Sequence, residues 1–201
     1  MSNEGRAYTA PVTGSLRRSN GDFTFRCLAR ADFPTLRQWL HAPHVARWWA
    51  DDSSDEGLEA MYGGCIDGTE PAEVFIAEVD GRAIGLVQRF RIDAYSEYQE
   101  EIAALVEIPA RTSSIDYLIG PEDAIGRGWG TRLIRTFIAQ LWRDDAEAAA
   151  IIVPVHVANR ASWRVLERAG FQRVAAGALT PDNPIDTTDH FIYRLDRPPG
   201  T

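Results

Sequence analysis

The segment from Ser114 to Trp142 limits the possible folds of this 201-residue chain more than any other stretch. Its pattern predicts an apolar strand over Ser114–Ile119, a loop rich in glycine, and an amphipathic helix over Thr131–Trp142. The start of a helix leaves backbone N–H groups without intrahelical acceptors and carries the positive end of the helix dipole. Because glycines keep side chains out of the way of those N–H groups, the segment predicts a cradle for a phosphate-like anion.

The glycine spacing separates this loop from two familiar phosphate-binding loops. Gly126, Gly128 and Gly130 alternate with Arg127 and Trp129. No Gly-Lys-Ser/Thr is present, which excludes a Walker loop, and the wide final gap of the dinucleotide fingerprint is missing. The alternative interpretation is a turn whose glycines serve only the backbone geometry.

The order of the other elements predicts the fold class. Asp80-Gly81 joins two apolar runs and is a strong signal for a hairpin. Asp32 is predicted to cap the first helix. We expect strands at Phe23–Cys27, Val74–Val79, Ala83–Phe90, Ser114–Ile119, Ala150–Val155, Phe171–Ala175 and His190–Leu195, with helices near Phe33–Leu40, Gly57–Tyr62, Thr131–Trp142 and Ala158–Ala169. This order predicts an α/β fold with a mixed, mostly antiparallel central sheet flanked by helices, in one domain over residues 21–197.

Composition excludes several classes of partner. Residues 1–20 are polar and predict a loosely held tail, and no signal peptide or apolar run of about 20 residues is evident, so we expect a cytoplasmic protein without a membrane partner. Cys27 and Cys65 are too few for a metal cluster or a disulfide framework, and both are predicted to be buried thiols with no metal site. The net charge of −8 disfavours nucleic acid and favours a small cationic ligand.

Two stretches resemble the GCN5-related N-acetyltransferases. Ile125–Leu133 (IGRGWGTRL) resembles the acetyl-CoA loop of that family. Asn159–Phe171 resembles its "N-x-x-A/S … E-x-x-G-F" segment, whose Asn contacts the pantetheine arm of the cofactor. The resemblance covers about residues 23–196 and implies acetyl-CoA as a co-substrate. It implies that the cofactor is held by Tyr117, Leu118, Ile119, Ile125, Gly126, Arg127, Gly128, Trp129, Gly130, Thr131 and Asn159.

Three further stretches are similar to the aminoglycoside 6'-N-acetyltransferases within that family. Leu36–Trp49 resembles their N-terminal "WL … H-I-V-x-W-W" segment, and Thr180–Asp182 resembles a late acidic loop at their drug pocket. Ser114–Asp116 resembles their "G-I-D" strand, whose Asp is the general base. The resemblance implies acetylation of the 6'-amine of an aminoglycoside, a reaction that confers antibiotic resistance.

Two positions depart from the pattern of the family. Leu166 stands where many members have a Tyr that acts as general acid toward the leaving thiolate. Pro154 stands near the position of an Asp in the aminoglycoside enzymes. Either this protein uses other acids, or its substrate differs.

Asp116 is the candidate general base. An alkyl amine of pKa about 10 is neutral in roughly one molecule in a thousand at pH 7, so a nearby carboxylate that takes the proton accelerates attack. Its neighbours Ile115 and Leu118 predict an apolar setting that raises the carboxyl pKa. A salt bridge to an arginine is the alternative. We expect a backbone N–H of the Tyr117–Ile119 strand to bind the thioester carbonyl.

A cationic aminosugar needs carboxylates and flat aromatic surfaces. The residues predicted to bind it are Trp49, Tyr98, Glu100, Glu101, Asp116 and Asp182. As an alternative, Glu97, Glu100 and Glu101 form a solvated helix face. One of Trp48 and Trp49 is expected in the core, and Asp51 and its acidic neighbours are expected in a solvated turn. His44 and His156 are assigned no role.

Two other functions remain open from the sequence. One is acylation of another amine or hydroxylamine, such as hydroxylysine in siderophore synthesis. The other is a non-catalytic acyl-CoA-binding module, for which Leu166 is the main support. The sequence does not specify the oligomeric state.

Overall fold

The computed structural model describes residues 23–199, so the predicted tail over residues 1–20 lies outside the described part. Seven strands form one sheet in the order β1-β2-β3-β4-β5-β7-β6. The strands are β1 Phe23–Cys27, β2 Glu73–Val79, β3 Arg82–Arg91, β4 Ser113–Ile119, β5 Ala150–His156, β6 Gln172–Ala178 and β7 Asp189–Asp196. The helices are α1 Phe33–His41, α2 Pro43–Ala46, α3 Asp55–Asp67, α4 Ser96–Ala103, α5 Trp129–Asp144 and α6 Arg160–Ala169.

The predicted fold class is confirmed. All neighbouring strands are antiparallel except β4 and β5, which are parallel, so the sheet is mixed and mostly antiparallel. The hairpin signal at Asp80-Gly81 is also confirmed, because both residues have positive φ, 52° and 74°, as a tight two-residue turn requires. Within the described residues, no helix is both long enough and apolar enough to cross a membrane.

Side chains on the two faces of the sheet pack against different helices. Leu86 belongs to a cluster with α1 and α3, whereas its neighbour Val87 belongs to a cluster with α5. Successive residues of a strand point to opposite faces, so the sheet separates the two clusters. We call the side of α1 and α3 the first face and the side of α5 and α6 the second face.

Two local predictions are wrong. Asp32 does not cap α1, because its own backbone is already helical and its carboxylate instead accepts the N–H of Ala29 and pairs with Arg26. A short 3-10 turn over Arg30–Asp32 precedes the helix, and the Asp32 carboxylate bonds back to the residue just before this turn. Cys27 is exposed, since it ends the edge strand β1, and Cys65 is only half-buried.

Strands β4 and β5 pair at one position, Ser113 with Ile151. In a regular parallel ladder, the next bridge includes a hydrogen bond from the N–H of residue 154 to the carbonyl of Ile115. Pro154 has no N–H, so that bond cannot form. No further pair of β4 and β5 follows within the described residues, and we call the unpaired space between the two strands toward their carboxyl ends the gap.

Candidate active site

The side chains of β4, the strand beside this gap, alternate between the two faces of the sheet. Leu118 is buried in the first-face cluster, and Tyr117 packs against the second-face cluster. Asp116 shares the parity of Leu118, so its carboxylate lies on the first face. The candidate base and the phenol of Tyr117 are therefore adjacent in sequence but on opposite sides of the sheet.

Gln88 is the hydrogen-bond partner of Asp116. The two residues are paired across β3 and β4, and the Gln88 amide Nε2 donates to Asp116 Oδ2 at 2.8 Å. Burial raises the pKa of Asp116 to about 6, the Gln88 hydrogen bond opposes that rise, and the charges of Asp182 and Asp51 add to it. The predicted elevation of the pKa is confirmed. Sequence reasoning did not single out Gln88, although a lone amide within the apolar run AIGLVQRF was a usable signal.

Asp51 and Asp182 lie within electrostatic reach of Asp116. Asp51 is half-buried, its pKa is raised chiefly by desolvation, and the hydroxyl of Tyr62 donates to it at 3.4 Å. The pKa of Asp182 is also raised by desolvation, although its side chain keeps contact with solvent, and His190 partly opposes the rise. Placing Asp51 in a solvated turn was wrong, since α3 buries it against Tyr62.

The loop between β6 and β7, residues 179–188, brings Asp182 to this site. Glu101 on α4 accepts hydrogen bonds from the Thr180 N–H at 3.1 Å and hydroxyl at 2.6 Å. On the other side, Arg47 pairs with Asp186 at 2.5 Å. Glu101 therefore anchors the loop that carries Asp182. Its neighbour Glu100 is exposed on α4, and its predicted contact with substrate stays a prediction.

The predicted aromatic residues are half-buried. Trp49 packs against the first-face cluster, whereas Trp48 lies 5.9 Å from the ring of His156, at the end of β5. The Tyr98 hydroxyl hydrogen-bonds Ser114 Oγ at 3.2 Å, and its ring packs edge-on against Phe90. Desolvation raises the pKa of Tyr98, and the negative charges of Asp116 and Asp182 add to the rise, so this phenol is close to the carboxylates.

The glycine loop has the geometry of an open cradle. Gly126 and Gly128 have φ values of 73° and 81°, which suit glycine, and a Cβ at either position would meet no atom within 4 Å. Ile125 and Arg127 are exposed beside them. The backbone of this loop is therefore accessible to a ligand that enters the gap from the second face.

Helix α5 starts directly at this loop. Trp129 is its first residue, buried edge-on against Phe23, and it fixes the helix start to the core. A Cβ at Gly130 would lie 3.1 Å from Val165 of α6, so this glycine permits close packing of the two helices. The N–H groups of the first turn, which includes Thr131, precede the first intrahelical bond and remain available to an anion.

The free edge of β4 faces the gap. The Gly120 N–H donates to the Ile84 carbonyl on β3 at 3.0 Å, so by alternation Leu118 also turns its backbone toward β3. The backbone N–H and carbonyl groups of Tyr117 and Ile119 point toward β5. The Ile119 carbonyl is already occupied by His44 Nε2 at 2.9 Å, a contact that sequence reasoning missed. The backbone of Leu118 is thus turned toward the sheet, and its predicted cofactor contact stays a prediction.

The start of α6 forms the far wall of the gap. Asn159 caps this helix, with Oδ1 accepting the Ser162 N–H at 3.1 Å. The Tyr117 hydroxyl lies 2.9 Å from Ser162 Oγ and 3.1 Å from the Ser162 carbonyl. Leu166, one turn further along, is fully buried.

Comparison with known proteins gives a consistent result. Residues 29–179 match the model of the acetyltransferase (GNAT) domain family. Aminoglycoside N(6')-acetyltransferases type 1 from Klebsiella pneumoniae and Serratia marcescens are each 28% identical over 170 residues, which cover 83% of this chain and 81% of theirs.

Solved structures agree with this match. The crystal structure of aminoglycoside acetyltransferase AAC(6')-Ib in complex with coenzyme A superposes with a TM-score of 0.75 at 25% identity, covering 88% of this chain and 95% of that one. The structure of that enzyme with coenzyme A and kanamycin gives a TM-score of 0.71 at 25% identity, with the same coverage. A spermidine N-acetyltransferase chimera at 19% identity and a TM-score of 0.65, covering 87% of this chain and 95% of the chimera, shares the fold.

Proposed function

Since this chain belongs to the GNAT acetyltransferase family, we propose that it transfers the acetyl group of acetyl-CoA to the 6'-amine of an aminoglycoside. The protein is an acetyl-CoA-dependent N-acetyltransferase. The need for acetyl-CoA, a metabolite made inside cells, supports the predicted cytoplasmic location.

The residues present fit acetyl-CoA. The open Gly126 and Gly128 and the first turn of α5 offer N–H groups to a diphosphate. The gap that Pro154 leaves between β4 and β5 provides unpaired N–H groups of Tyr117 and Ile119. These groups suit the amide-rich pantetheine arm and the thioester carbonyl. The acetyl group would then reach the first face, where Asp116 lies.

The observation that carries the proposed acceptor is the set of carboxylates on the first face. Asp51 and Asp182 both raise the pKa of Asp116, and desolvation raises the pKa of all three carboxyl groups. Such repulsion is relieved when ammonium groups occupy the space between the carboxylates. A substrate with several amines satisfies this requirement better than a monoamine, and the 28% identity to aminoglycoside enzymes supports an aminosugar.

We assign Asp116 the role of general base. The carboxylate accepts the proton of the amine as its nitrogen attacks the thioester carbonyl, and Gln88 keeps the carboxylate in place. A pKa of about 6 leaves the carboxylate mostly ionised at pH 7 and still a stronger base than an ordinary Asp. Asp51 and Asp182 bind other amines of the same molecule.

A thiol-release assay tests the proposal. Purified protein is given acetyl-CoA with kanamycin, with spermidine, or with hydroxylysine, and products are identified by mass spectrometry and NMR. We expect turnover of kanamycin at the 6'-amine, slow turnover of spermidine and none of hydroxylysine. Turnover of hydroxylysine alone would show that the protein acylates a hydroxylamine and would overturn the proposed acceptor. Coenzyme A binding without any turnover would favour a non-catalytic module.

A further inference from the structure

The leaving sulfur requires a partner on the second face. The amine attacks from the first face, beside Asp116, so the departing sulfur moves toward the side of α5 and α6. A thiol of pKa about 8.5 leaves as a thiolate, whose charge is costly in a partly desolvated gap. Leu166 is fully buried and carries no polar side-chain atom. Another group must therefore stabilise the sulfur.

Two hydroxyls lie on that side of the gap. Tyr117 and Ser162 join β4 to the first turn of α6, with 2.9 Å between their oxygens. Ser162 is one helical turn before Leu166, on the same side of α6. The pair thus lies across the second-face side of the gap, opposite the carboxylates.

The proton arrangement of this pair has two forms. In one, Tyr117 donates to the Ser162 carbonyl at 3.1 Å and Ser162 donates to the phenol oxygen, so both protons are used internally. In the other, Tyr117 donates to Ser162 Oγ, and the serine proton becomes available to a third atom. Rotation of the two hydroxyls converts one form into the other. Burial raises the pKa of Tyr117 above its usual range, so the phenol keeps its proton at working pH.

We infer that the Ser162 hydroxyl donates a hydrogen bond to the coenzyme A sulfur as the acetyl group leaves, and that Tyr117 positions this hydroxyl. The inference rests on the proposed location of the cofactor arm in the gap. Ser162 touches the reacting sulfur and is a catalytic residue, whereas Tyr117 is a positioning residue. Together they take the role of the tyrosine that many members of the family have at the position of Leu166.

The step balances without a further reactant. The amine nitrogen forms a bond to the carbonyl carbon and gives its proton to Asp116. The carbon–sulfur bond breaks, and its electron pair stays on sulfur. Ser162 keeps its proton and shares it with the sulfur through the hydrogen bond. Water later returns a proton to the thiolate and removes the proton from Asp116.

Titration of the bound thiol tests this inference independently of turnover. Thiolate absorbance is followed against pH for coenzyme A bound to the wild type and to S162A, with the desulfo-coenzyme A complex as the blank. A hydrogen bond to a charged group is worth about 1.5–3 kcal/mol, so we expect the thiol ionisation constant to fall about tenfold or more in S162A. Calorimetry should give the same coenzyme A affinity for both proteins within about twofold.

Conservative variants separate the chemistry from the structure. S162T keeps the hydroxyl and should restore the ionisation constant and kcat, whereas Y117F should show a smaller decrease in the same direction. The S162A/Y117F double variant should match S162A, because both changes act through one hydrogen bond. Equal thiol ionisation in the wild type and S162A would overturn the inference. Loss of coenzyme A binding by the wild type would instead contradict the proposed function.

Discussion

Gln88 and Asp116 face each other across β3 and β4, and the 2.8 Å hydrogen bond between them favours the ionised carboxylate. Burial acts in the opposite direction and is the larger effect, so the pKa of Asp116 settles at about 6. The Gln88 amide therefore lowers the pKa of the proposed base and holds its carboxylate on the first face.

The first prediction concerns Gln88 itself. Gln88→Met removes the hydrogen bond that lowers the pKa of Asp116, so this pKa should rise above about 6. The low-pH limb of kcat/KM should move to higher pH, while the plateau rate changes less. NMR titration of carboxyl-labelled aspartate would measure the shift directly. An unchanged titration would show that Gln88 does not control the carboxylate.

The second prediction concerns the base. A carboxylate with a pKa of about 6 accepts protons only above that pH, so kcat/KM should rise with pH through about pH 6. Asp116→Asn should lower kcat by about two to four orders of magnitude and abolish this limb. The coenzyme A affinity, measured by calorimetry, should stay the same. A wild-type rate in Asp116→Asn would remove this residue from the role of base.

The third prediction concerns stability. Because the pKa of Asp116 is higher in the folded state than its ordinary value of 3.8, the folded state binds more protons between about pH 4 and pH 6. Stability from this group is therefore lost as the pH rises through that window. Asp116→Asn does not titrate in this window and should therefore be more stable than the wild type at pH 8 by about 3 kcal/mol.

Thermal unfolding of the ligand-free proteins checks this expectation. The two proteins should have similar Tm values at pH 4, and the variant should unfold about 6–12 °C higher at pH 8. A wild type that is the more stable protein at pH 8 would contradict the assigned pKa. Addition of kanamycin should stabilise the wild type, because its ammonium groups relieve the repulsion.

The fourth prediction compares two neighbouring aspartates. Asp51→Asn removes a half-buried carboxylate of the first face and should raise KM for kanamycin about tenfold or more, with a smaller change in kcat. Asp52→Asn is the matched control, because Asp52 is exposed and its hydrogen bonds are with Ser54, including the Ser54 N–H at 2.9 Å, which asparagine can also accept. Steady-state kinetics of both variants decides the matter. Equal KM values in the two variants would exclude Asp51 from substrate binding.

The sequence alone determined the class of the fold and the open backbone conformation of the glycine loop. Strand alternation, the Asp80-Gly81 turn and the amphipathic pattern of α5 are local properties. They depend on the identities of neighbouring residues, which the sequence gives directly. The same holds for Gly126 and Gly128, whose positive φ values follow from their alternation before a helix. Asp116 was identified from the resemblance of its strand to the family, and its apolar neighbours predicted the desolvation that raises its pKa.

Tertiary structure decided which distant residues share the site. Asp51 joins Asp116 only because α3 packs on the first face, and Ser162 meets Tyr117 only because α6 follows the parallel strand β5. Gly120 resembles an ordinary loop glycine in sequence, yet a Cβ there would lie 2.1 Å from Cδ2 of Trp39. Such contacts depend on the register and packing of elements far apart in the chain, and electrostatic coupling depends on through-space distance, so no local pattern records them.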